Sequence, residues 1–220
     1  MLIAEDLALL LHDDDSGKQL TTQYTVDVAL AGAILLELAL RGAVRITGTA
    51  DAGPAGRVVA DGEATTGDEL LDDGLRTVRG AAGKTPDVVL EELRQGLRDR
   101  VLTRLVAAGE LRREEHRTLG VFKRVRWPAG QGRREDDVRR DLDAALQQGR
   151  EPDERTAAIV SLLSATDLVR RVVPTDDHKA TKRRADEIAK GPWAADAVRQ
   201  AVEDVASVVM TTSIMVAAGS

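Results

Sequence analysis

The side chains that most clearly suggest a chemistry in this 220-residue chain are closely spaced arginines. Arg94, Arg98 and Arg100 fall within two turns of a predicted helix, and a guanidinium group can bind two phosphate oxygens at once. Arg94 and Arg98 are four residues apart and share one helix face, whereas Arg100 lies on another side. These three residues are our candidates for binding an anionic group.

Catalytic and metal-binding chemistry has little support. Three histidines, His12, His116 and His178, are scattered without metal-ligand spacing, and we expect them at the surface. The chain has no cysteine, no glycine-rich phosphate loop and no G-x-S-x-G turn. We therefore expect no enzyme, no catalytic residue, no metal and no cofactor.

The net charge of −6 is unevenly distributed. Residues 1–93 carry a net charge of −10, residues 94–140 carry +7 and residues 141–220 carry −3. An anionic partner is therefore expected to dock on the middle segment. The alternative is a solvated basic face that balances acidic neighbours within the fold.

The basic segment runs into a predicted β-hairpin, because a polar stretch meets the alternating sequence "VFKRVRW". Its tip carries Leu119, Val121 and Phe122, the only Phe of the chain. An apolar tip flanked by cations favours insertion into an anionic membrane. Each basic residue near the surface contributes about 1 kcal/mol, and each fully buried apolar side chain about 1.5–3 kcal/mol. Packing of the tip onto the core is the alternative.

Two other functions fit the same charges. In a winged-helix DNA-binding protein, the helix would present Arg98, Arg100, Thr103 and Arg104, and the hairpin would be the wing. Single-strand binding is disfavoured, because the chain has only four aromatic residues for stacking. A scaffold for an acidic protein surface is the third hypothesis.

The elements that carry these residues are predicted to be helices. With 2% aromatic residues, aliphatic side chains must fill the core, which suits helix-on-helix packing. Residues 2–11 form a helix or strand. Residues 22–41 form an apolar helix ended by Gly42, with an exposed Glu37–Arg41 pair. Two short strands follow within 44–62.

Further helices have sequence signals at their ends. Thr66 and Glu69 fit a capping box, and Thr85 with Pro86 begins a helix that breaks at Gly96. The later helices are expected at about 134–148, 153–172, 176–190 and 193–217. The predicted fold is mainly α: a multi-helical single domain over residues 1–220, with short strands and a projecting β-hairpin.

Several motifs, in this order, resemble the Golgi phosphoprotein 3 family. "LIAEDLALLL" is similar to the family's opening, "LLELALRGAV" to its most recognisable block and "TGDELLDDGL" to its TGD-x-LLD segment. "LRDRVLTRLVAAGEL" resembles its R-x-R helix, "LGVFKRVRWP" occupies the place of its hairpin, and "SATDLV" and "ATKRRADEI" resemble its late helices. The resemblance covers nearly the whole chain, and the preference for Arg over Lys favours a bacterial homologue.

The resemblance implies a helical, non-catalytic module that binds phosphatidylinositol 4-phosphate through a shallow basic pocket. The family's aromatic pocket residue falls near Thr22, with Tyr24 out of register, and one pocket Arg falls on Ala31. Of two basic residues on the next helix, one falls on Gln95, beside Arg94, and the other on Arg98. Arg100 also matches a family Arg.

The expected function is peripheral membrane association through anionic phospholipid head groups. The N-terminus is acidic, unlike a signal peptide, and no uninterrupted apolar run reaches the roughly 18 residues of a membrane span. We therefore expect a cytoplasmic protein on a membrane surface. The expected partner is anionic lipid and not nucleic acid, while a protein partner and a second copy of the chain stay open.

Overall fold

The computed structural model describes residues 1–63, 65–118, 122–191 and 204–211. Within them the chain is mainly α-helical with two small antiparallel strand pairs, which confirms the predicted fold class. The helices are α1 (Ile3–Leu10), α2 (Gln23–Leu40), α3 (Glu69–Gly80), α4 (Pro86–Leu93), α5 (Leu97–Ala107), α6 (Arg134–Leu146), α7 (Glu154–Ala165), α8 (Val169–Val172) and α9 (His178–Ala189); residues 204–211 are also helical. The strands are β1 (Val44–Ile46), β2 (Val58–Ala60), β3 (Glu114–Thr118) and β4 (Phe122–Arg126).

Helices α1 and α2 form the centre of the core. All eight residues of α1 and fourteen of the eighteen in α2 are buried. Among the described residues, α2 is the one helix whose length and hydropathy would allow it to cross a membrane, but most of it is buried inside the fold. A helix that is apolar on all sides needs neighbours around it, and α2 packs against α1, α3, α4, α5 and α7.

Acidic residues of α1 hold the surrounding helices through arginines. Asp6 is fully buried and accepts hydrogen bonds from Arg134 at 2.7 Å and from Arg155 at 2.8 Å. Glu5 accepts a hydrogen bond from Arg104 at 2.7 Å. Because these arginines come from α6, α5 and the first turn of α7, the acidic pair of α1 links three helices.

Glu37 departs from its predicted environment. The pair with Arg41 forms at 2.9 Å, but the Glu37 side chain is only 8% exposed. Its carboxylate also accepts a hydrogen bond from the backbone N–H of Ile3 at 2.8 Å. The expected exposed ion pair is therefore a half-buried contact that joins α2 to the start of α1.

The two strand pairs form as predicted. β1 and β2 pair antiparallel, with Val44 opposite Ala60, and β3 and β4 form the hairpin with Glu114 opposite Arg126. The base of the hairpin is held by the acidic turn after α1, where the Trp127 N–H donates to the Gly17 carbonyl at 3.2 Å. Gly17 has φ +60°, and a Cβ there would lie 2.5 Å from the backbone nitrogen of Trp127. Only glycine fits this contact without a shift.

Some helix ends differ from the prediction. Asp68, not Thr66, caps α3 and accepts hydrogen bonds from the Leu70 and Leu71 N–H groups. Thr66 instead donates its hydroxyl to Asp72 at 2.8 Å. The expected break at Gly96 is confirmed, since Gly96 has φ +67° between α4 and α5.

Two further expectations need correction. The predicted helix at 153–172 is divided into α7 and α8 by Asp167, which has φ +53° without being glycine. His12, expected at the surface, is 2% exposed, and its Nδ1 lies 2.7 Å from the Ala8 carbonyl oxygen. His12 is buried because it comes just after α1, whose residues are all in the core.

Candidate functional site

The turn between α4 and α5 positions two of the three predicted arginines. Arg94 is the last residue of the α4 cap, and Arg98 lies in the first turn of α5. Gly96, with a left-handed backbone, separates the two helices, so the single helix face predicted for Arg94 and Arg98 does not form. Both guanidinium charges act on Asp27 of α2, so the turn brings them to the same acidic residue.

Arg94 is already engaged by neighbouring side chains. Its guanidinium carbon lies 5.0 Å from the centroid of the Tyr24 ring, a cation–π distance. It also donates to Glu91 at 2.6 Å, and this hydrogen bond raises the pKa of Arg94 above its ordinary value. Tyr24, out of register with the family's aromatic position, thus contacts a cation of the candidate site. Ala31, where the resemblance predicts the position of a pocket Arg, is fully buried.

Arg98 has a looser arrangement. Its Nε lies 3.7 Å from Asp27 Oδ1, and that oxygen is buried without a hydrogen-bond partner among the described residues. Burial raises the pKa of Asp27, although the Arg98 charge opposes the shift. Burial also lowers the pKa of His12, and Arg98 acts there in the same direction. The Arg98 guanidinium is therefore held near an acid without a close hydrogen bond to it.

Arg98 lines a cleft of about 490 Å³ at the base of the hairpin, which we call the hairpin cleft. Arg113 also lines it, with its guanidinium carbon 5.9 Å from the Trp127 ring centroid and its Nη1 2.6 Å from Glu115 Oε1. Val125, in the same cleft, is 40% exposed. The lining is Gly17, Gln19, Gln23, Arg98, Asp99, Thr103, Arg113, Val125 and Trp127. Two cations, the carboxylate of Asp99, amide and hydroxyl groups and an apolar edge therefore meet at one opening.

Arg100 is separate from this cleft. Its guanidinium bonds to Asp73 of α3. It lines a smaller cleft of about 310 Å³, together with Glu69, Leu70 and Arg104. Since Asp99 and Thr103 lie between the two openings and line both, Arg98 and Arg100 do not form a single pocket.

Arg104 has a structural role. It donates to Glu5 at 2.7 Å and to Asp68 at 2.8 and 3.2 Å. Partial burial opposes the shift, but these hydrogen bonds raise the pKa of Arg104. The winged-helix hypothesis needs this side chain turned outward to read bases, and its guanidinium is instead committed to two acids of the fold.

The predicted membrane-inserting tip falls largely outside the described residues. Leu119 and Val121 belong to that part of the chain, and of Phe122 only the backbone, at the start of β4, is described. Their insertion into a membrane therefore stays a prediction. The described arms bring Val125 and Trp127 beside Arg98.

Sequence reasoning did not assign Arg113 and Trp127 to the site. Their signal was nevertheless present, because Val125 and Trp127 are two residues apart along an extended arm and therefore point to the same face. What was missing was the contact between Gly17 and the hairpin base, which places that face against α5.

A family model described as Golgi phosphoprotein 3 (GPP34) matches residues 3–205, nearly the whole chain. No curated protein matches the sequence. The match spans α1 to the C-terminal helical segment, including every residue of the hairpin cleft.

Proposed function

The chain belongs to the Golgi phosphoprotein 3 family, and we propose that it is a peripheral, non-catalytic module that binds anionic phospholipid head groups at the hairpin cleft. Arg98 and Arg113 would contact the phosphate, while Val125 and Trp127 face the membrane interface. Leu119, Val121 and Phe122 would enter the acyl boundary. This mode of attachment implies a cytoplasmic protein held at a membrane surface.

A single observation carries the proposal: the fold joins the basic helix to the hairpin at one opening. Arg98 of α5 and Arg113 at the base of the hairpin line the same cleft, although the rest of α5 lies between them in the sequence. Their guanidinium groups suit phosphate oxygens, and tryptophan is favoured at the level of lipid head groups. A solvated basic face would not require an exposed Val and a half-buried Trp beside the cations.

The lipid of the family's eukaryotic members, phosphatidylinositol 4-phosphate, is the more specific form of the proposal. Arg98 occupies a family position, and Arg94 with Tyr24 supplies a cation and an aromatic ring nearby. Arg94 is committed to Glu91, however, and Ala31 brings no charge. We therefore propose binding to anionic lipids in general. A preference for phosphoinositides is tested separately, by comparing vesicles of phosphatidylinositol 4-phosphate with vesicles of phosphatidylglycerol.

Vesicle co-sedimentation tests the proposal. The wild-type protein should sediment with vesicles that contain phosphatidylglycerol or phosphatidylinositol 4-phosphate. With vesicles of pure phosphatidylcholine it should stay in the supernatant. Changing Arg98→Ala and Arg113→Ala together should weaken binding about tenfold to thirtyfold, since each cation contributes about 1 kcal/mol. High salt should weaken binding as well, because exposed charges are screened.

Arg140→Ala is the matched control. Arg140 is a 70% exposed arginine of α6 that pairs with Asp137. It lines neither the hairpin cleft nor the smaller cleft beside Arg100. It should bind anionic vesicles like the wild type. The control removes one charge and the double variant two, so the losses of binding free energy are compared per removed arginine. Equal losses per arginine would show that net charge alone, and not the cleft, determines binding. No sedimentation with any anionic vesicle at low salt would refute the function.

Fluorescence gives a second measurement. Trp127 and Trp193 are the two tryptophans of the chain, so Trp193→Phe leaves Trp127 as the sole reporter. Anionic vesicles should shift its emission to shorter wavelength, because the ring leaves water for the interface. The nucleic-acid hypothesis would be favoured instead by two results together. The protein would shift the mobility of duplex DNA in a salt-sensitive way, and the Trp127 emission would not change with vesicles.

A further inference from the structure

A second, larger cleft lies against the first turn of α2. It has a volume of about 790 Å³ and is bounded by the α7–α8 turn and by α9; we call it the α8–α9 cleft. Its cationic lining residues are Arg170, Arg171 and Lys182. Five hydroxyl side chains also line it, three from threonines around the start of α2 and two from the end of α7. Among the described residues it shares no lining side chain with the hairpin cleft.

Positive charge in this region exceeds its local compensation. A neighbouring opening of about 500 Å³ shares Arg170 and Lys182 and adds Lys179 and Arg183. Lys182 lies near two acids, at 3.4 Å from Asp167 and 3.7 Å from Asp186, and Asp167 is the one carboxylate in the described lining of the α8–α9 cleft. Within the described part of the chain, Arg170 and Lys179 make no ion pair with a carboxylate.

The start of α2 adds a favourable electrostatic field. α2 is eighteen residues long, begins after the cap residue Thr22 and has no acidic residue in its first turn. Thr22 and Thr25 of this turn both line the cleft. The N-terminal end of a helix carries partial positive charge, so an anion in the cleft would meet that end together with the cations.

We propose that the α8–α9 cleft is a second anion site that binds a phosphate monoester on a hydroxyl-rich small molecule. Arg170 and Lys182 contact the phosphate, and the hydroxyl side chains accept and donate hydrogen bonds with the rest of the ligand. The described lining holds no Phe, Tyr or Trp, so the imidazole of His178 is its one aromatic ring. Since hydroxyl groups outnumber aromatic surface there, a phosphorylated sugar or cyclitol fits the lining better than a stacked nucleobase.

The histidines allow a direct test. His178 lines the cleft, whereas His12 is buried in the core and serves as an internal reference. The full chain is titrated with inorganic phosphate and with glucose 6-phosphate at constant pH and ionic strength, and imidazole signals are followed by NMR. The His178 signals should shift saturably while those of His12 stay fixed. Glucose 6-phosphate should bind more tightly than inorganic phosphate, and unphosphorylated glucose should have no effect.

Arg170→Ala combined with Lys182→Ala should weaken glucose 6-phosphate binding by at least roughly tenfold, since two charge-assisted contacts are lost. Arg140→Ala should leave it unchanged. Both altered residues are partly or fully exposed, and far-ultraviolet circular dichroism verifies that the variant is folded. The absence of a saturable His178 shift, or equal affinity in the double variant, overturns the proposal.

Vesicles then distinguish a lipid from a soluble ligand. If the double variant loses binding to phosphatidylinositol 4-phosphate vesicles but not to phosphatidylglycerol vesicles, the monoester is a lipid head group. If it binds both as the wild type does while failing to bind glucose 6-phosphate, the ligand is soluble. Since the titration contains no membrane, its result is independent of the hairpin-cleft proposal.

Discussion

Glu135 is a carboxylate whose surroundings favour the neutral form. It lies in the first turn of α6 with its side chain 14% exposed. Burial raises the pKa of Glu135 to about 7; Arg139 opposes this shift and the nearby Asp14 adds to it. The folded chain then holds this proton more tightly than the unfolded chain. The resulting stability is complete below about pH 4.5 and is lost as the pH rises through about 7.

Glu135→Gln should reduce this pH dependence. Between about pH 5 and pH 8, the variant should lose about 1–3 kcal/mol less unfolding free energy than the wild type, because glutamine does not ionise. Urea unfolding at both pH values measures the difference. Glu151→Gln, at an 88% exposed side chain, is the control and should follow the wild type. Parallel curves for Glu135→Gln and the wild type would mean that Glu135 is charged throughout.

Individual contacts of the arginines could be predicted only where the partner is local. Residue type and spacing suffice to mark Arg94 and Arg98 as phosphate-binding candidates. They also suggest that Arg104 is free, because its neighbours in the sequence offer no obvious acid. Its partner Glu5 lies ninety-nine residues away, and only the packing of α1 against α5 brings the two together.

Helices α2 and α3 meet at Gly74. A Cβ on Gly74 would lie 2.8 Å from Ile34 Cγ2, so an added methyl group must push the helices apart. Gly74→Ala should therefore lower the unfolding free energy by about 1–2 kcal/mol, the cost of overpacking less the gain in helix propensity. Urea denaturation checks the value.

Gly80→Ala is the matched substitution in the same helix. Gly80 ends α3, and no atom lies within 4 Å of the position its Cβ would take. Without a clash, only propensity acts, and stability should stay constant or rise by up to about 1 kcal/mol. If both substitutions stabilise the protein, α2 and α3 are not in close contact.

Helix boundaries could be predicted where glycine or proline marks them. Gly96 was identified because glycine readily adopts positive φ. The break after α7 was missed because Asp167 takes the same conformation without that signal. The prediction of the α3 cap was wrong because Thr66 and Asp68 are both good cap residues. The Thr66 hydroxyl donates to Asp72, which leaves Asp68 to accept from the first N–H groups of the helix.

The distribution of charge over the whole molecule differs from its distribution along the chain. Residues 94–140 carry +7, and the fold gathers Arg98 and Arg113 from them at the hairpin cleft. Residues 141–220 carry a net charge of −3, and their sequence did not predict an anion site, yet α8 and α9 line a cleft with cationic side chains. Both clefts border the first turn of α2, through Gln23 in one and Thr25 in the other. One end of the central helix thus adjoins two openings lined by cationic side chains.

The stability of the whole molecule should depend strongly on Asp6. This buried carboxylate accepts hydrogen bonds from Arg134 and Arg155, whose side chains are 31% and 28% exposed. Asp6→Asn keeps the shape but leaves Arg134 without its paired carboxylate and Arg155 with only Glu37, at 3.4 Å. We expect a loss of about 3 kcal/mol in urea unfolding. Asp51→Asn removes the partner of Arg45 at the surface and should cost much less, because solvent screens an exposed ion pair. Equal losses would show that α1 is held by apolar packing alone, since the buried charges would then contribute no more than exposed ones.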